Sequence, residues 1–378
     1  MELLPIYTPP AFDPKALLKP LAASLAGEGP AVAPHAALGQ QFTGELPNDE
    51  IAAVLSTSGS TGAPKKTMLS VDALAASSMA TAIALGAEGQ WLLTLPVHHV
   101  AGFQVLVRSL YAGTEPWAMD PATAFTADAF TSAAGELTDR VRFTSLVPTQ
   151  LHRLLQDPTP QTLKALKRFN AILLGGAPLG SGLRSEARRH GLNIVETYGM
   201  SETSGGCVYD GRSLDGVEVR EDGGRLWISG PVLAEGYLGD PELTGERFVF
   251  NSGRRWFRTD DAGALTADGT VEVHGRLDDV IVTGGLKVSA AVVAEVIEGI
   301  SGVNQALVLG ITSSEWGTSV AAAVVGTVEA EVVRRHVAEE LGAHAAPKTV
   351  LALEAMPLLP GGKPDRQSVR ALLEQRDS

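Results

Sequence analysis

From Ile51 to Thr197 the sequence alternates short β-prone runs with longer amphipathic stretches, and that rhythm leaves few folds open. Ile51–Leu55, Trp91–Leu95, Arg142–Val147, Ala171–Leu174 and Asn193–Thr197 have the length and texture of buried strands. Helical stretches lie between several of them. Ser70–Leu85 has serine at its head and Gly86 at its tail, and Gly180–His190 stops at Gly191. Strand and helix in alternation predict an α/β fold with doubly wound, mostly parallel sheets. At 378 residues the chain is too long for one ordinary core, so two domains are expected. After Asp210 the texture turns glycine-rich, and Arg225–Ser229 and Thr270–His274 suggest a small β-region closing the large domain. The expected boundary gives a large domain over 1–277 and a small α+β lid over 278–378. The lid is read as helix Ser289–Gly299, strands near Val303–Gly310 and Ser319–Val325, and helix Glu331–Leu341. The opening stretch to Pro47 reads as irregular backbone with one helix at Lys15–Leu25.

The charge balance excludes some partners. A formal net charge of -13 repels nucleic acid and anionic lipid, so any polyanion must be held by a local site. Cys207 is the one cysteine, so no intrachain disulfide can form, and the cytoplasm is the expected compartment. No basic run followed by an apolar block opens the chain, and no apolar stretch of ~20 residues follows. Neither secretion nor a membrane span is expected.

Five motifs carry candidate chemistry. Ser56-Thr57-Ser58-Gly59-Ser60-Thr61-Gly62-Ala63-Pro64-Lys65-Lys66 follows a predicted strand and precedes a predicted helix. Its glycines let backbone N–H groups approach an anion, its hydroxyls donate and its lysines add charge, a composition that suits a triphosphate. The Walker A spacing is absent. A Ser/Gly linker shares the composition but would not join two packed elements. Thr197-Tyr198-Gly199-Met200-Ser201-Glu202-Thr203 puts a carboxylate at a strand end, which beside a triphosphate makes sense with a bridging hard cation. Upstream, Gly175-Gly176-Ala177-Pro178 reads equally well as a plain strand-to-helix turn. Arg258-Thr259-Asp260-Asp261 is a ligand motif or a pair of acids in an ordinary turn. Gly275-Arg276-Leu277-Asp278-Asp279, with Thr283-Gly284-Gly285-Leu286-Lys287, is a hinge between domains or a surface hairpin with an exposed Gly-Gly turn. Pro360-Gly361-Gly362-Lys363-Pro364-Asp365-Arg366 offers a lysine that, out of context, is only a solvated side chain.

In this order the motifs resemble the adenylate-forming superfamily of acyl-CoA synthetases, peptide-synthetase adenylation domains and luciferases, over nearly the whole chain from Ile51. The resemblance implies an acyl-CoA ligase that uses ATP, Mg²⁺ and coenzyme A. A carboxylate and ATP give acyl-AMP and pyrophosphate, and the acyl group then passes to the thiol. The same resemblance assigns Thr57, Ser58, Gly59, Ser60, Thr61, Gly62 and Lys65 to phosphate, and Gly175, Gly176 and Ala177 to the adenine face. Tyr198 would stack on adenine, with Thr197, Gly199 and Met200 around the nucleotide. Glu202 would hold Mg²⁺, Thr203 would touch phosphate, and Asp261 and Arg276 would hold ribose. Asp260 stands where the family usually has glycine, which leaves open which acid binds ribose. Asp278 would be the hinge, and Gly284, Gly285 and Lys287 would line the path of coenzyme A. Lys363 would be the lid's catalytic cation, stabilising charge that develops in the transition state. Cys207 has no place as a nucleophile in such a scheme.

The stretch Pro96-Val97-His98-His99-Val100-Ala101-Gly102 resembles the family's acyl-pocket motif, with His99 in the matching place; paired histidines also serve as core or capping groups. Arg108 lies on the predicted helix beyond it. In the o-succinylbenzoate-CoA ligases of menaquinone biosynthesis an arginine at this position faces the acyl site. A dicarboxylate needs a fixed cation for the carboxylate that is not activated. An outward ion pair is the other reading of Arg108. The run Tyr198–Gly211 resembles actinobacterial members of that group, which brings Ser204 and Gly206 to the acyl substrate beside Gly199. Another aryl or short acyl acid, a carrier protein as acceptor, and a nucleotide sensor without chemistry are the alternative functions. The region before the phosphate loop is shorter than in most of the family, so a homodimer is expected to cover part of the sheet flank.

Overall fold

The computed structural model describes residues 2–57, 64–120, 122–313, 317–358 and 364–377, and the strands among the described residues form five sheets. The seven-stranded sheet runs in the order Arg212–Ser213, Gly205–Tyr209, Ile194–Met200, Ala171–Leu174, Arg142–Leu146, Gln90–Leu93, Trp117–Ala118. From Ile194–Met200 to Trp117–Ala118 all neighbours are parallel, and two antiparallel strands close the other edge. Gln90–Leu93, Arg142–Leu146 and Ala171–Leu174 are buried at every position, because alternate side chains enter different cores. Trp91, Leu93 and Phe143 pack with Phe103 and Leu106 of the Val100–Tyr111 helix, while Leu92, Leu146 and Ile172 pack with Phe130, Leu151 and Leu166.

A second sheet has the order Leu3–Tyr7, Ala31–His35, Ile51–Thr57, Lys65–Ser70, Gly236–Tyr237, parallel at first and antiparallel after Ile51–Thr57. It corrects three expectations. The opening segment has its expected helix, at Leu18–Leu25, but is not irregular throughout: Leu3–Tyr7 and Ala31–His35 are strands, disguised by Pro5 and Pro34, since proline argues against a strand interior. Ile51–Thr57 belongs to this sheet and not to that of Ala171–Leu174. The phosphate-loop motif does not lead straight into a helix. Lys65–Ser70 pairs with Ile51–Thr57 from Ile51↔Ser70 to Thr57↔Lys65, so the motif spans a hairpin. Only then does Val71–Leu85 begin, its N-cap Ser70 Oγ accepting from the Ala73 N–H at 3.3 Å.

The expected β-region is a sheet of Glu218–Asp222, Arg225–Ser229, Arg254–Leu265 and Phe248–Asn251, with Val271–Arg276 also paired to Arg254–Leu265. Beyond it, Val303–Ser313, Gly317–Gly326 and Thr349–Leu353 form a sheet covered on both faces. Val308, Val320, Ala322 and Val324 meet Val293, Ile297, Val333 and Val337 of the Ala290–Glu298 and Ala330–Leu341 helices. Leu309, Ile311, Ala321 and Ala323 meet Val369 and Leu373 of the Arg366–Asp377 helix on the other face. No helix among the described residues is long and apolar enough to cross a membrane.

Candidate active site

The Ile194–Met200 strand and the Arg254–Leu265 strand bring Tyr198 to Asp261, its phenol Oη donating to Oδ2 at 2.7 Å. Buried Thr259 steadies this part of the strand: its Oγ1 accepts from the Asp261 N–H at 3.0 Å and donates to the Leu226 carbonyl at 2.7 Å. Burial, then the charge of Asp261, pushes the Tyr198 phenol well above its ordinary pKa, so the tyrosine stays a donor. Arg276 is the cross-strand partner of Asp261, with its Nε 3.9 Å from Oδ1. Successive strand residues face opposite ways, and Asp260 enters a different environment. It accepts from Arg247 Nη1 and from Arg225 Nη1 at 3.3 Å, and Arg276 Nη2 lies at 3.5 Å. Burial opposes its charge, but the hydrogen bond and charge of Arg247, with Arg276 and Lys65, hold the carboxyl below its usual range.

Glu202 lies in the 3-10 turn Ser201–Thr203, 8% exposed. Tyr237 Oη donates to its Oε1 at 2.8 Å, and Lys65 Nζ lies 5.7 Å from the centre of the Tyr237 ring. Tyr237 thus joins the two charged groups that sequence reading assigned to metal and phosphate. Burial, followed by the charge of Glu202, raises the Tyr237 phenol well above its ordinary value. The described residues hold no cluster of three or more His, Cys, Asp or Glu side chains suited to a metal. A single buried carboxylate still fits Mg²⁺, which takes one or two protein carboxylates and completes its shell with water and substrate phosphate oxygens. Thr203 is fully buried: its hydroxyl accepts from the Met200 N–H at 3.0 Å and approaches the Gly205 carbonyl at 2.7 Å. Its side chain braces the turn.

Gly199 faces Gly206 across the strand pair, and a Cβ there would stand 2.1 Å from the Gly205 carbonyl oxygen. A Cβ on Gly175 would stand 2.4 Å from Thr197 Oγ1, which donates to the Leu174 carbonyl at 3.2 Å, while Gly176 and Ala177 are exposed. Ser204 is left-handed, at φ 52°, and its carbonyl accepts from Ser77 Oγ at 3.0 Å and Gln104 Nε2 at 2.5 Å. His99 is exposed at the N-cap of the Val100–Tyr111 helix, 4.5 Å from the His98 ring. His98 is the more enclosed of the two, with Nδ1 3.0 Å from Thr8 Oγ1; burial, then the nearby His35, lowers its pKa.

Arg108 is 6% exposed, so the outward ion pair is not what the chain forms. Its guanidinium carbon sits 5.1 Å from the centre of the Trp91 ring, and Nη2 donates to Tyr209 Oη at 3.3 Å. Its Nε has no hydrogen-bond partner, and no carboxylate among the described residues pairs with it. The Tyr209 ring also passes 2.8 Å from where a Cβ on Gly206 would stand. Cys207, on the same strand, is fully buried, and burial pushes its thiol up to about 12, which removes it as a thiolate nucleophile.

In the C-terminal part, Gly284 and Gly285 are an exposed two-residue turn joining Val280–Thr283 to Leu286–Ser289, with φ of 55° and 81°. Positive φ at both positions is what a type I′ hairpin turn demands, hence glycine. Lys287 is exposed on the second strand, and Asp278 lies in the 3-10 turn Leu277–Asp279. Ser58, Gly59, Ser60, Thr61, Gly62 and Lys363 lie outside the described residues. Thr57 and Lys65 frame the first gap as cross-strand partners, and Arg366 Nη2 donates to Asp279 Oδ1 at 2.6 Å just beyond the second. Sequence reading missed Tyr237, Arg225 and Arg247, because no local motif marks a tyrosine or arginine brought in from another element. Tyr209 was quoted within a motif but given no task; its pairing with Arg108 is tertiary.

Comparisons with known proteins place this geometry. The AMP-binding enzyme family matches residues 19–238, and its C-terminal domain matches 293–363. A probable 2-succinylbenzoate–CoA ligase of Mycobacterium tuberculosis is 39% identical over 376 residues, covering 95% of this chain and 96% of that protein. An ATP-bound RpMatB-BxBclM chimera superposes with a TM-score of 0.77 at 25% identity, covering 100% of this chain and 80% of the other. The o-succinylbenzoate CoA synthetase of Bacillus subtilis, in complex with the acyl-adenylate intermediate OSB-AMP, gives a TM-score of 0.72 at 23% identity, covering 93% and 81%; at that identity it speaks for the fold. With a family match over more than half of its length and a relative aligned almost end to end, the chain belongs to the AMP-binding enzyme family, the AMP-forming acid–thiol ligases among them.

Proposed function

We propose that this enzyme activates 2-succinylbenzoate, converting it with ATP to the acyl-adenylate and then to 2-succinylbenzoyl-CoA. Arg108 carries the reading. A guanidinium buried beside Trp91 with no carboxylate partner among the described residues has lost hydration without gaining an anion, a costly state unless a ligand supplies the charge. A diacid does so while its other carboxylate reacts. The Mycobacterium tuberculosis relative, by its name, supports the same acid.

In the first half-reaction the substrate carboxylate attacks the α-phosphorus of ATP in line and pyrophosphate leaves. In the second, the thiol of coenzyme A attacks the acyl carbon and AMP leaves. Asp261 is assigned to the ribose hydroxyls, since it sits beside Tyr198 whereas Asp260 is committed to three guanidiniums. Tyr198 is assigned to the adenine face, Arg276 to the ribose side, Lys65 and residues 58–62 to phosphates, and Lys363 to the developing charge on the α-phosphate. Glu202 would hold Mg²⁺, held in place by Tyr237, and the bound ion would neutralise phosphate charge. The lid, residues 278–378, is taken to turn about Asp278 between the two steps and to bring Gly284, Gly285 and Lys287 to coenzyme A. Cytoplasmic location and a homodimer complete the reading; sedimentation velocity tests the latter.

The deciding assay measures AMP and thioester formation with 2-succinylbenzoate against monocarboxylates. Arg108→Ala should lower kcat/KM for the diacid about 100-fold, the scale of a lost charge-assisted hydrogen bond, and leave slow monocarboxylate turnover in place. An Arg108→Ala enzyme with undiminished activity on the diacid would sink the assignment.

A further inference from the structure

Asp260 gathers positive charge from four side chains. Arg225 Nη1 lies at 3.3 Å, Arg247 Nη1 makes a hydrogen bond, Arg276 Nη2 lies at 3.5 Å, and Lys65 is close enough to act on its ionisation. The three guanidiniums differ in their exposure. The Arg225 and Arg247 side chains are 21% and 15% exposed and are enclosed by packing, whereas that of Arg276 is 40% exposed. Arg276 is also shared with the neighbouring acid, its Nε 3.9 Å from Asp261 Oδ1 while Nη2 reaches towards Asp260. One end of the guanidinium therefore faces the carboxylate assigned to ribose, and the other end is drawn by a carboxylate that Arg225 and Arg247 hold in place.

We propose that Asp260 is a positioning residue for ATP: anchored by Arg225 and Arg247, it selects the orientation of Arg276 that lies beside Asp261. Asp260 does not touch the nucleotide; it acts through Arg276. The proposal rests on the nucleotide reading given above for Asp261 and Arg276. Removing the charge of Asp260 leaves Arg225, Arg247, Arg276 and Lys65 repelling one another, and Arg276, the most exposed of the three guanidiniums, is shifted from that orientation.

The test is Asp260→Asn, which keeps shape and removes charge, assayed alone and in an Arg276→Ala background. The single change should raise KM for ATP, and the Kd of ATP by isothermal titration calorimetry, about tenfold, as for one charge-assisted hydrogen bond. KM for the acid and for coenzyme A should stay within about twofold. In the Arg276→Ala background Asp260→Asn should add nothing to the ATP defect, because its intermediary is gone. Should Asp260→Asn not fold, Asp260→Glu, which keeps the charge and displaces it by one methylene, takes its place with a severalfold rise in KM for ATP. Unchanged ATP affinity, a defect that adds in full to that of Arg276→Ala, or a uniform loss of all parameters in step with the folded fraction overturns the proposal. A wild-type chain that binds no ATP removes the nucleotide reading and this inference together. Equal binding by wild type and variant removes the inference alone.

Discussion

Stability of the C-terminal part should depend on pH through the carboxyl group of Glu298. It ends the Ala290–Glu298 helix, which packs on Ser181–Arg189 of the large domain. Its Oε1 accepts from the Ala306 N–H at 2.9 Å, and its Oε2 lies 2.5 Å from where a Cβ on Gly180 would stand. Burial, with the like charge of Glu295 adding to it against the Ala306 hydrogen bond, pushes the group from 4.5 up to about 7. Arg184 across the contact does not relieve it, since that guanidinium is paired with Glu196 at 2.6 Å. The sign follows from proton counts. Between 4.5 and about 7 the folded chain keeps a proton that the unfolded chain has released, so this group's contribution to stability falls as pH rises through that window. Integrated across the window, the loss is about 3 kcal/mol. Glu298→Gln mimics the protonated form and should abolish this part of the slope. Urea unfolding at pH 5 and pH 8, followed by tryptophan fluorescence and far-UV dichroism, should show the variant gaining on wild type by a few kcal/mol at pH 8 and matching it at pH 5. Parallel stability profiles for the two proteins would refute the reasoning.

Other expectations follow from the site. Gly199→Ala places a methyl group against the Gly205 carbonyl, backbone that cannot step aside. It should cost roughly 3 kcal/mol in denaturant titrations and abolish ATP binding. Cys207, fully buried with its thiol pushed up to about 12, should react with a disulfide reagent at pH 8 about a thousandfold more slowly than a free thiol until the chain is unfolded. Cys207→Ala should retain AMP-forming activity in a pyrophosphate-release assay.

The parallel core was legible because buried strands write themselves as uninterrupted runs, and Ala171–Leu174 reads the same in sequence and structure. Lys65–Ser70 was not, because its strand character comes from pairing with Ile51–Thr57 and its first two residues are lysines. Leu3–Tyr7 and Ala31–His35 hide behind prolines for a related reason: parallel partners 28 residues apart leave no local trace. In the site, residues inside contiguous motifs could be read, Tyr198 and Glu202 among them. Tyr237 and Arg247 could not, since what matters in them is the element they approach and not the residues beside them. The Asp260–Asp261 ambiguity also needed coordinates, because side-chain alternation along a strand separates two acids that sequence leaves side by side.

The carbonyl of Ser204 is a common tether. Through Gln104 it holds the helix that carries Arg108, through Ser77 it holds the Val71–Leu85 helix, and its own chain runs two residues back to Glu202. Acid selectivity and nucleotide affinity therefore have a mechanical joint, and substitutions on Val100–Tyr111 meant to admit a bulkier acid should disturb ATP binding unless Gln104 keeps its grip.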